Sequence, residues 1–166
     1  MSGPQRAARM AKALVVYSAD ERATRRAAEE IARGIAGAGR VIPTVVGIEE
    51  LLPERVRTSD MIILGASASA KAAVREMRHL EEILPPGILD RKMVSVFDAG
   101  PAGLHGAGAR TLRRTLAKDD PALHLVAPGI SVTVDMVRRE LLEPELSRCR
   151  QFGEHLAGIV AARGTA

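Results

Sequence analysis

The chain alternates short apolar runs of strand length with amphipathic segments of helix length, and this pattern restricts the folds that it can adopt. The runs of strand length are KALVVYS (12–18), VIPTVVGI (41–48), SDMIILGAS (59–67), RKMVSVFDAG (91–100) and ALHLVAPGISVTV (122–134). Nearly continuous apolar character, as in the first and third runs, is typical of strands that are covered on both faces. The sequence therefore predicts a buried, five-stranded sheet.

Apolar residues between these runs recur at helical spacing. Helices are predicted around the segments 27–35, 49–56, 74–84, 110–116 and 142–160. Strands that alternate with helices pair in parallel through right-handed crossovers. The fold class that follows is α/β, a three-layer sandwich with helices on both faces of a parallel sheet.

Prolines and glycines refine this prediction. Pro43 favours an edge position for the second strand, because proline cannot donate a hydrogen bond to a neighbouring strand. Pro128 and Gly129 mark a point at which the fifth run can break. At 166 residues, without an internal repeat or a linker, the chain fits one domain. We expect that domain to span residues 12–161, after a flexible N-terminal segment of residues 1–11.

The charge pattern bears on the class of partner. The formal net charge is +4, and basic residues are scattered among acidic ones along the predicted helices. Such a pattern is typical of a solvated face. The chain has one tyrosine, two phenylalanines and no tryptophan, so it offers little for nucleobase stacking. We expect no dedicated nucleic-acid site.

Membrane and secretory signals are also missing from the sequence pattern. No apolar stretch approaches the length of a membrane span, and the first eleven residues lack the apolar region of a secretory signal. The single cysteine, Cys149, excludes an internal disulfide and fits a reducing compartment. We expect a cytoplasmic protein that does not bind membranes; the pattern predicts no oligomeric state.

Ligands of open parallel sheets bind beyond the carboxyl ends of the strands, at the point where the strand order reverses. The loops to consider are therefore residues 18–24, 65–71 and 98–108. GASAS (65–69) falls one glycine short of a nucleophile elbow. A hydrolase site of Ser67, Asp98 and His105 stays open as an alternative, because their loops converge. The histidines show no metal-ligand spacing, and Cys149 falls on the apolar stripe of the last helix.

Three segments resemble the strand–loop–helix units of the flavodoxin family. They are ALVVYSADERATRRAAEEIARGI (13–35), SDMIILGASAS (59–69) and KMVSVFDAGPAGLHGAGARTLRRTL (92–116). The order and spacing of these units match the family over nearly the whole chain. The resemblance implies the strand order 2-1-3-4-5 and a first loop, of the type T-x-T-G-x-T, that wraps the phosphate of FMN.

Carried onto this sequence, the resemblance assigns the phosphate site to Ser18, Arg22, Thr24 and Arg25. Thr24 matches the last threonine of the family loop, at the start of the helix, and Arg22 stands in place of the loop glycine. Arg22 or Arg25 would supply positive charge, and a helix N-terminus favours anions.

The same loop also carries two carboxylates, Asp20 and Glu21, which would repel a phosphate unless they point into solvent. The alternative is a solvated helix entry in which Asp20 caps the helix. Both interpretations stay open at the level of sequence.

The other two loops would face the flavin ring. The resemblance assigns ring contacts to the second loop (Ala66, Ser67 and Ser69) and to the third loop (Asp98, Ala99, Gly100 and Gly103). In the third loop, the glycines predict exposed backbone near the expected position of the ring. Neither loop contains the aromatic residue that commonly stacks on the flavin in this family.

Two hypotheses follow. In the first, the protein binds FMN and carries electrons or assists a redox partner, with the flavin supplying the redox chemistry. In the second, the domain holds no flavin and acts as a partner-binding or regulatory module. An electron carrier or binding module is expected rather than a stand-alone enzyme.

Overall fold

The computed structural model describes residues 9–18, 22–104 and 106–164. The strands are β1 (Ala11–Tyr17), β2 (Val41–Gly47), β3 (Met61–Ser67), β4 (Met93–Gly100), β5 (His124–Leu125), β6 (Ile130–Asp135) and β7 (Glu140–Leu141). The helices are α1 (Arg22–Gly37), α2 (Pro53–Arg57), α3 (Ala70–Ile83), α4 (Ala107–Asp119) and α5 (Glu143–Gly164). Short 3-10 turns lie at Ile48–Glu50 and Ala102–Leu104.

The sheet has the order β2-β1-β3-β4-β6-β7, and β5 pairs with the first part of β4. All pairs are parallel except the antiparallel pair of β6 and β7. The predicted order 2-1-3-4-5 is confirmed, with β6 in the fifth place. Pro43 lies in β2 at the edge, as its missing N–H group requires.

The count of five strands needs correction, because the fifth run divides and β7 is added. Pro128 cannot donate to a ladder, and Gly129 has a φ of 78°, so the strand breaks between β5 and β6. A side chain on Gly129 would also meet the Val96 carbonyl oxygen, which lies 2.6 Å from the Cβ position. β7 contains two residues and continues from β6 through a tight hairpin.

The two faces of the sheet bury separate apolar clusters. One cluster lies under α1 and α5 and includes Ile31, Ile35 and Leu156; the other lies under α2, α3 and α4 and includes Leu14 and Leu112. These side chains are almost fully buried. Helices therefore cover both faces, and the predicted three-layer sandwich is confirmed.

Helices α1 and α5 approach each other closely enough for backbone to contact backbone. A Cβ on Gly34 would overlap the carbonyl group of Arg150, and a Cβ on Gly153 would overlap that of Ile31. Fully buried Glu30 adds an ion pair across this interface, 2.7 Å from the Arg150 guanidinium. Glycine is required at both positions because any side chain would separate the helices.

The first described residues, from Arg9 onward, lead directly into β1. β1 begins at Ala11, one residue before the predicted start of the domain. Arg9 forms an ion pair with Asp60 at 2.8 Å, so the chain is already held just before β1. Residues 1–8 lie outside the described residues, and the flexible segment 1–11 stays a prediction there. No helix in the described ranges is long and apolar enough to cross a membrane.

Candidate functional site

Three helices, α1, α3 and α4, begin at the carboxyl edge of the sheet, directly after β1, β3 and β4. The first N–H groups of a helix have no partner within the helix and carry a partial positive charge. An anion can therefore bind at a helix end only where other groups of the chain do not already accept hydrogen bonds from these N–H groups.

The N-terminus of α4 is filled by the chain itself. Asp98, at the end of β4, is 1% exposed, and its Oδ2 accepts the N–H of Ala109 at 2.7 Å. The N–H of Gly108 donates to the carbonyl of Ala68 at 2.8 Å. A buried carboxylate at this position stabilises the helix end and takes the place that an external anion would need.

The N-terminus of α3 is capped in the ordinary way. Ser69 precedes the helix in extended conformation, and its hydroxyl accepts the N–H of Ala72 at 3.1 Å. Ser69 was predicted to contact a flavin, but its hydroxyl oxygen instead satisfies this helix.

The second and third loops pack directly against each other. The N–H of Ala68 donates to the carbonyl of Ala99 at 3.0 Å, and Ala68 is buried. A Cβ on Gly100 would overlap the Ala68 methyl group. Ala68 therefore fills the space between the ends of β3 and β4, on the side of Gly100 that faces α3.

Helix α1 differs from the other two helices. Thr24 lies in its first turn and is fully buried, and its Oγ1 has no hydrogen-bond partner among the described residues. Arg22 begins the helix, is exposed, and pairs with no carboxylate in the described part of the chain. Because a buried hydroxyl without a partner is costly, Thr24 is a candidate hydrogen-bond donor to a ligand at this helix end. Ala19, Asp20 and Glu21 lie outside the described residues, and the Asp20 cap stays a prediction.

A tight hairpin between β6 and β7 lies at the same edge of the sheet. Residues 136–139, which we call the hairpin tip, form its turn. Asp135 fixes the turn, because its Oδ1 accepts the N–H groups of Val137 and Arg138, each at 2.9 Å. Arg139 has a φ of 56°, a left-handed conformation that is unfavourable for a side chain of its size. The tip thus has one well-defined shape.

Two adjoining grooves separate α1 from the hairpin. The larger groove, of about 610 Å³, runs along α1 and is lined by Arg22, Ala23, Arg25, Arg26, Glu29, Arg138, Arg139, Glu140, Leu141 and Leu146. The smaller groove, of about 350 Å³, lies between the hairpin and the end of β4 and is lined by Arg22, Ala23, Gly100, Pro101, Val134, Met136 and Arg139. Five arginines face two glutamates in the larger groove, so its charge is positive.

Not all of these arginines are free to bind a ligand. Arg25 hydrogen-bonds Glu29 at 3.0 Å, which raises the pKa of Arg25, and Arg26 pairs with Glu30 at 3.1 Å. In contrast, Arg22, Arg138 and Arg139 have no carboxylate partner within the described ranges. The uncompensated positive charge is therefore concentrated where α1 begins and where the hairpin turns.

No protein-family model and no curated protein matches this chain. Solved structures do match along its length. A flavodoxin from the domain Archaea has a TM-score of 0.72 at 18% identity, covering 90% of this chain and 99% of that one. Flavodoxin 2 from Bacillus cereus has a TM-score of 0.64 at 22% identity, covering 92% and 99%.

The fold is that of the flavodoxins. The same fold also forms part of larger proteins. The Flv1 flavodiiron core from Synechocystis sp. PCC6803 has a TM-score of 0.69 at 18% identity, covering 93% of this chain but 37% of that one. TM-scores of this size establish the flavodoxin-like architecture, while identities of 18–22% leave the site to be argued from the residues of this chain.

The predicted phosphate-site residues of this flavodoxin-like chain do not all face a ligand. Arg22 and Thr24 lie together at the start of α1, as predicted. Ser18 follows β1, but its hydroxyl donates to Glu76 Oε1 at 2.9 Å, and both residues are buried. Ser18 thus links β1 to α3, and Arg25 is engaged with Glu29. Thr24 and Arg22 are the members of the predicted set whose polar groups stay available.

The predicted ring contacts also divide into two groups. Asp98, Ala99 and Gly100 belong to β4 and are buried, so the exposed backbone expected there is not found. Ala66 is buried in β3, and Ser67 is half-buried at its end. Gly103 lies in the exposed 3-10 turn with open space around its Cα. Among these residues, Gly100 is the one that lines a groove.

The alternative chemistries receive little support from this geometry. Asp98 holds the start of α4, and His105 lies outside the described residues. Burial raises the pKa of the Cys149 thiol to about 12, so this cysteine is unreactive at neutral pH. Within the described ranges, no group of three or more histidine, cysteine or carboxylate side chains is placed to hold a metal ion.

Sequence reasoning missed the contribution of the hairpin. Met136, Arg138 and Arg139 were not predicted as site residues, because the fifth strand was expected to lead straight into the last helix. The signal is present in VDMVRREL (134–141), where an aspartate that can fix a turn stands between short apolar stretches.

Proposed function

We propose that this protein binds FMN at the start of α1 and takes part in electron transfer. The observation that carries the proposal is the hydroxyl of Thr24, which is buried at the end of a helix without a partner. The resemblance to flavodoxins implies that the FMN phosphate would bind at this same helix start. Independent support comes from the described residues, which engage the first N–H groups of α3 and α4 and leave the Thr24 hydroxyl without a partner.

The phosphate would be held by three kinds of donor. Thr24 would donate its hydroxyl, the first N–H groups of α1 would point at the anion, and Arg22 with Arg139 would supply positive charge. Both arginines line both grooves and lack carboxylate partners among the described residues. Arg22 would thus replace, by charge, the backbone cradle that a loop glycine provides in the family.

The flavin ring would lie in the smaller groove, against Gly100, Pro101, Val134 and Met136. Its volume of about 350 Å³ is within the range of small-ligand sites. Ala68 occupies the space on the other side of Gly100, so the hairpin side is the open one. Bound FMN supplies one-electron and two-electron redox chemistry. The chain would orient the ring and shield one of its edges with the Met136 thioether and Pro101.

A titration with FMN and riboflavin tests this proposal, because riboflavin lacks the phosphate. We expect wild-type protein to bind FMN at least about tenfold more tightly than riboflavin, since charged hydrogen bonds contribute well over 1 kcal/mol. Thr24→Val and Arg22→Ala should each lower FMN affinity and leave riboflavin affinity unchanged. Val74→Ser, on the far face of α3, is the control. Equal affinities for the two flavins, or no binding of either, would refute the phosphate site.

The second candidate is a flavin-free module that binds a partner protein. It is favoured by Ala68, which joins the two loops that hold the ring in the family, and by the absence of an aromatic side chain from the described residues of the three loops. Colourless purified protein that does not take up added FMN would support this candidate over the first.

A further inference from the structure

The hairpin tip exposes apolar side chains beside two arginines. Val137 is 95% exposed, the highest value among the large apolar residues that the structure describes, and Met136 is 60% exposed. Arg138 and Arg139 follow directly and have no carboxylate partner among the described residues. Methionine and arginine are enriched in protein interfaces, whereas lysine and glutamate are depleted. An exposed valine bordered by arginines is therefore suited to contact another protein.

Hydrogen bonds within the chain define the turn at the hairpin tip. The two hydrogen bonds from Val137 and Arg138 to Asp135 hold the turn, and β7 returns the chain to the sheet at once. Ordering a flexible loop on binding costs free energy, and a turn that is already ordered avoids this cost. Arg139 retains a left-handed φ of 56° at a turn position where glycine or asparagine would be easier to accommodate. This arginine is present despite the strain.

The charge of the surface indicates what kind of partner it fits. Arg22, Arg138 and Arg139 all line the larger groove and have no carboxylate partner among the described residues, whereas the adjoining Arg25 and Arg26 pair with Glu29 and Glu30. Complementary charge accelerates encounter and excludes partners of the same sign. The surface is too poor in aromatic residues to serve as a stacking platform for single-stranded nucleic acid. A protein that presents carboxylates around an apolar patch matches both the arginines and the valine.

We propose that the hairpin tip is the docking surface for an acidic redox-partner protein. This proposal rests on the proposed function, because the tip borders the groove assigned to the flavin. We assign the docking contacts to Val137 and Arg138. Neither residue lines the smaller groove, which is assigned to the flavin ring. Docking and FMN binding can therefore be tested by different substitutions.

The test uses a pair of probe proteins of opposite charge, the acidic haem protein cytochrome b5 and the basic haem protein cytochrome c. Binding is measured by interferometry on the full chain, with and without FMN, from about 0.02 M to about 0.2 M salt. The variant is Val137→Ser with Arg138→Glu. The chain offers a matched control, Val74→Ser with Arg75→Glu, because the same dipeptide is exposed on α3 across the sheet. Both pairs change the formal charge equally.

We expect cytochrome b5 to bind and cytochrome c not to bind, with affinity falling as salt rises. The hairpin variant should bind cytochrome b5 about tenfold more weakly, while the matched control stays within about twofold of wild type. Val137→Ser alone, at a nearly fully exposed position, should weaken binding without any effect on folding. Circular dichroism of each variant verifies the fold.

Several results would overturn the proposal. One is equal weakening by the hairpin variant and its control, which would indicate net charge alone; another is no weakening by either, or preference for cytochrome c. Tighter binding of a DNA duplex through the tip would assign the surface to nucleic acid. Self-association that the hairpin variant abolishes would assign it to a second copy, whose groove near Glu81 and Asp119 is acidic. Failure of FMN to bind would refute the proposed function. Binding of the two cytochromes to the flavin-free chain would still test the docking surface.

Discussion

The N-termini of α1 and α4 lie at the same edge of one sheet, but the side chains beside them differ in charge and in hydrogen bonding. At α4 the chain supplies its own buried anion, Asp98, 2.7 Å from the N–H of Ala109. At α1 the first turn carries the buried hydroxyl of Thr24 and the cation Arg22, and neither has a side-chain partner within the described ranges. The difference shows that a helix end alone does not define a binding site. An anion site also requires that the first N–H groups of the helix are not already engaged by side chains of the protein.

The largest expected effect on stability is at the N-terminus of α4, where Asp98 accepts a hydrogen bond from the helix. Asp98→Ala removes a buried carboxylate and leaves the N–H of Ala109 without a partner, so we expect the free energy of unfolding to fall by about 2–4 kcal/mol. Urea denaturation measures this change. Asp98→Asn keeps one acceptor oxygen and should lose less. An unchanged midpoint for Asp98→Ala would remove the contrast between the two helices.

A smaller loss is expected at α3, whose end is capped by a neutral hydroxyl. Ser69→Ala should lower the free energy of unfolding by about 1 kcal/mol, the usual contribution of an N-cap. Ser69→Asp is the matched control, because aspartate is an equally good cap and should retain wild-type stability. If Ser69→Ala instead lowered FMN affinity at unchanged stability, Ser69 would contact the ligand.

Inorganic phosphate should bind at the N-terminus of α1 and stabilise the protein slightly. At a concentration equal to its dissociation constant, a ligand adds about 0.4 kcal/mol to the free energy of unfolding. We expect a small rise of the thermal midpoint in phosphate relative to chloride at equal ionic strength, and no rise in Arg22→Ala. The same rise in both proteins would attribute the effect to general ion exclusion.

The smallest expected effect on stability is that of Thr24→Val, and this makes it the sharpest comparison with Asp98. Valine has nearly the same shape, and the hydroxyl that it replaces has no partner among the described residues. Stability should therefore stay within about 0.5 kcal/mol of wild type or rise, because a desolvated polar group is removed. A loss above about 1.5 kcal/mol would mean that the hydroxyl is already satisfied within the protein.

The sequence predicted the architecture well because the apolar runs have different periods in strands and helices. The alternation of strands and helices predicted the layers, the family resemblance supplied the strand order, and Pro43 indicated that β2 lies at an edge of the sheet. The hairpin was missed because β7 contains two residues, too few for any periodicity to register. Short pairings of this kind depend on a turn, and the turn depends on one carboxylate, Asp135.

The candidate site was predicted less completely, and the reason is that residue type does not reveal a partner. Ser18, Ser69 and Thr24 are all hydroxyl residues at the right edge of the sheet. In the structure Ser18 bonds Glu76, Ser69 bonds Ala72, and Thr24 bonds no described residue. The Ser69 bond is local, but Ser18 and Glu76 are 58 positions apart, so the partner of Ser18 cannot be identified from the neighbouring sequence.

The backbone contact between α1 and α5 has a consequence for the order in which the chain is made. Glu30 and Arg150, which meet across this contact, are separated by 120 positions. During synthesis, α5 is made long after α1. The surfaces of α1 and of the sheet that α5 later covers are therefore exposed while the intervening strands leave the ribosome. The nascent chain therefore presents the apolar side of Ile31 and Ile35 to the cell until the last helix arrives. Gly34 and Gly153 then let α5 pack without displacing α1, so this face of the sheet is completed only after α5 has been translated.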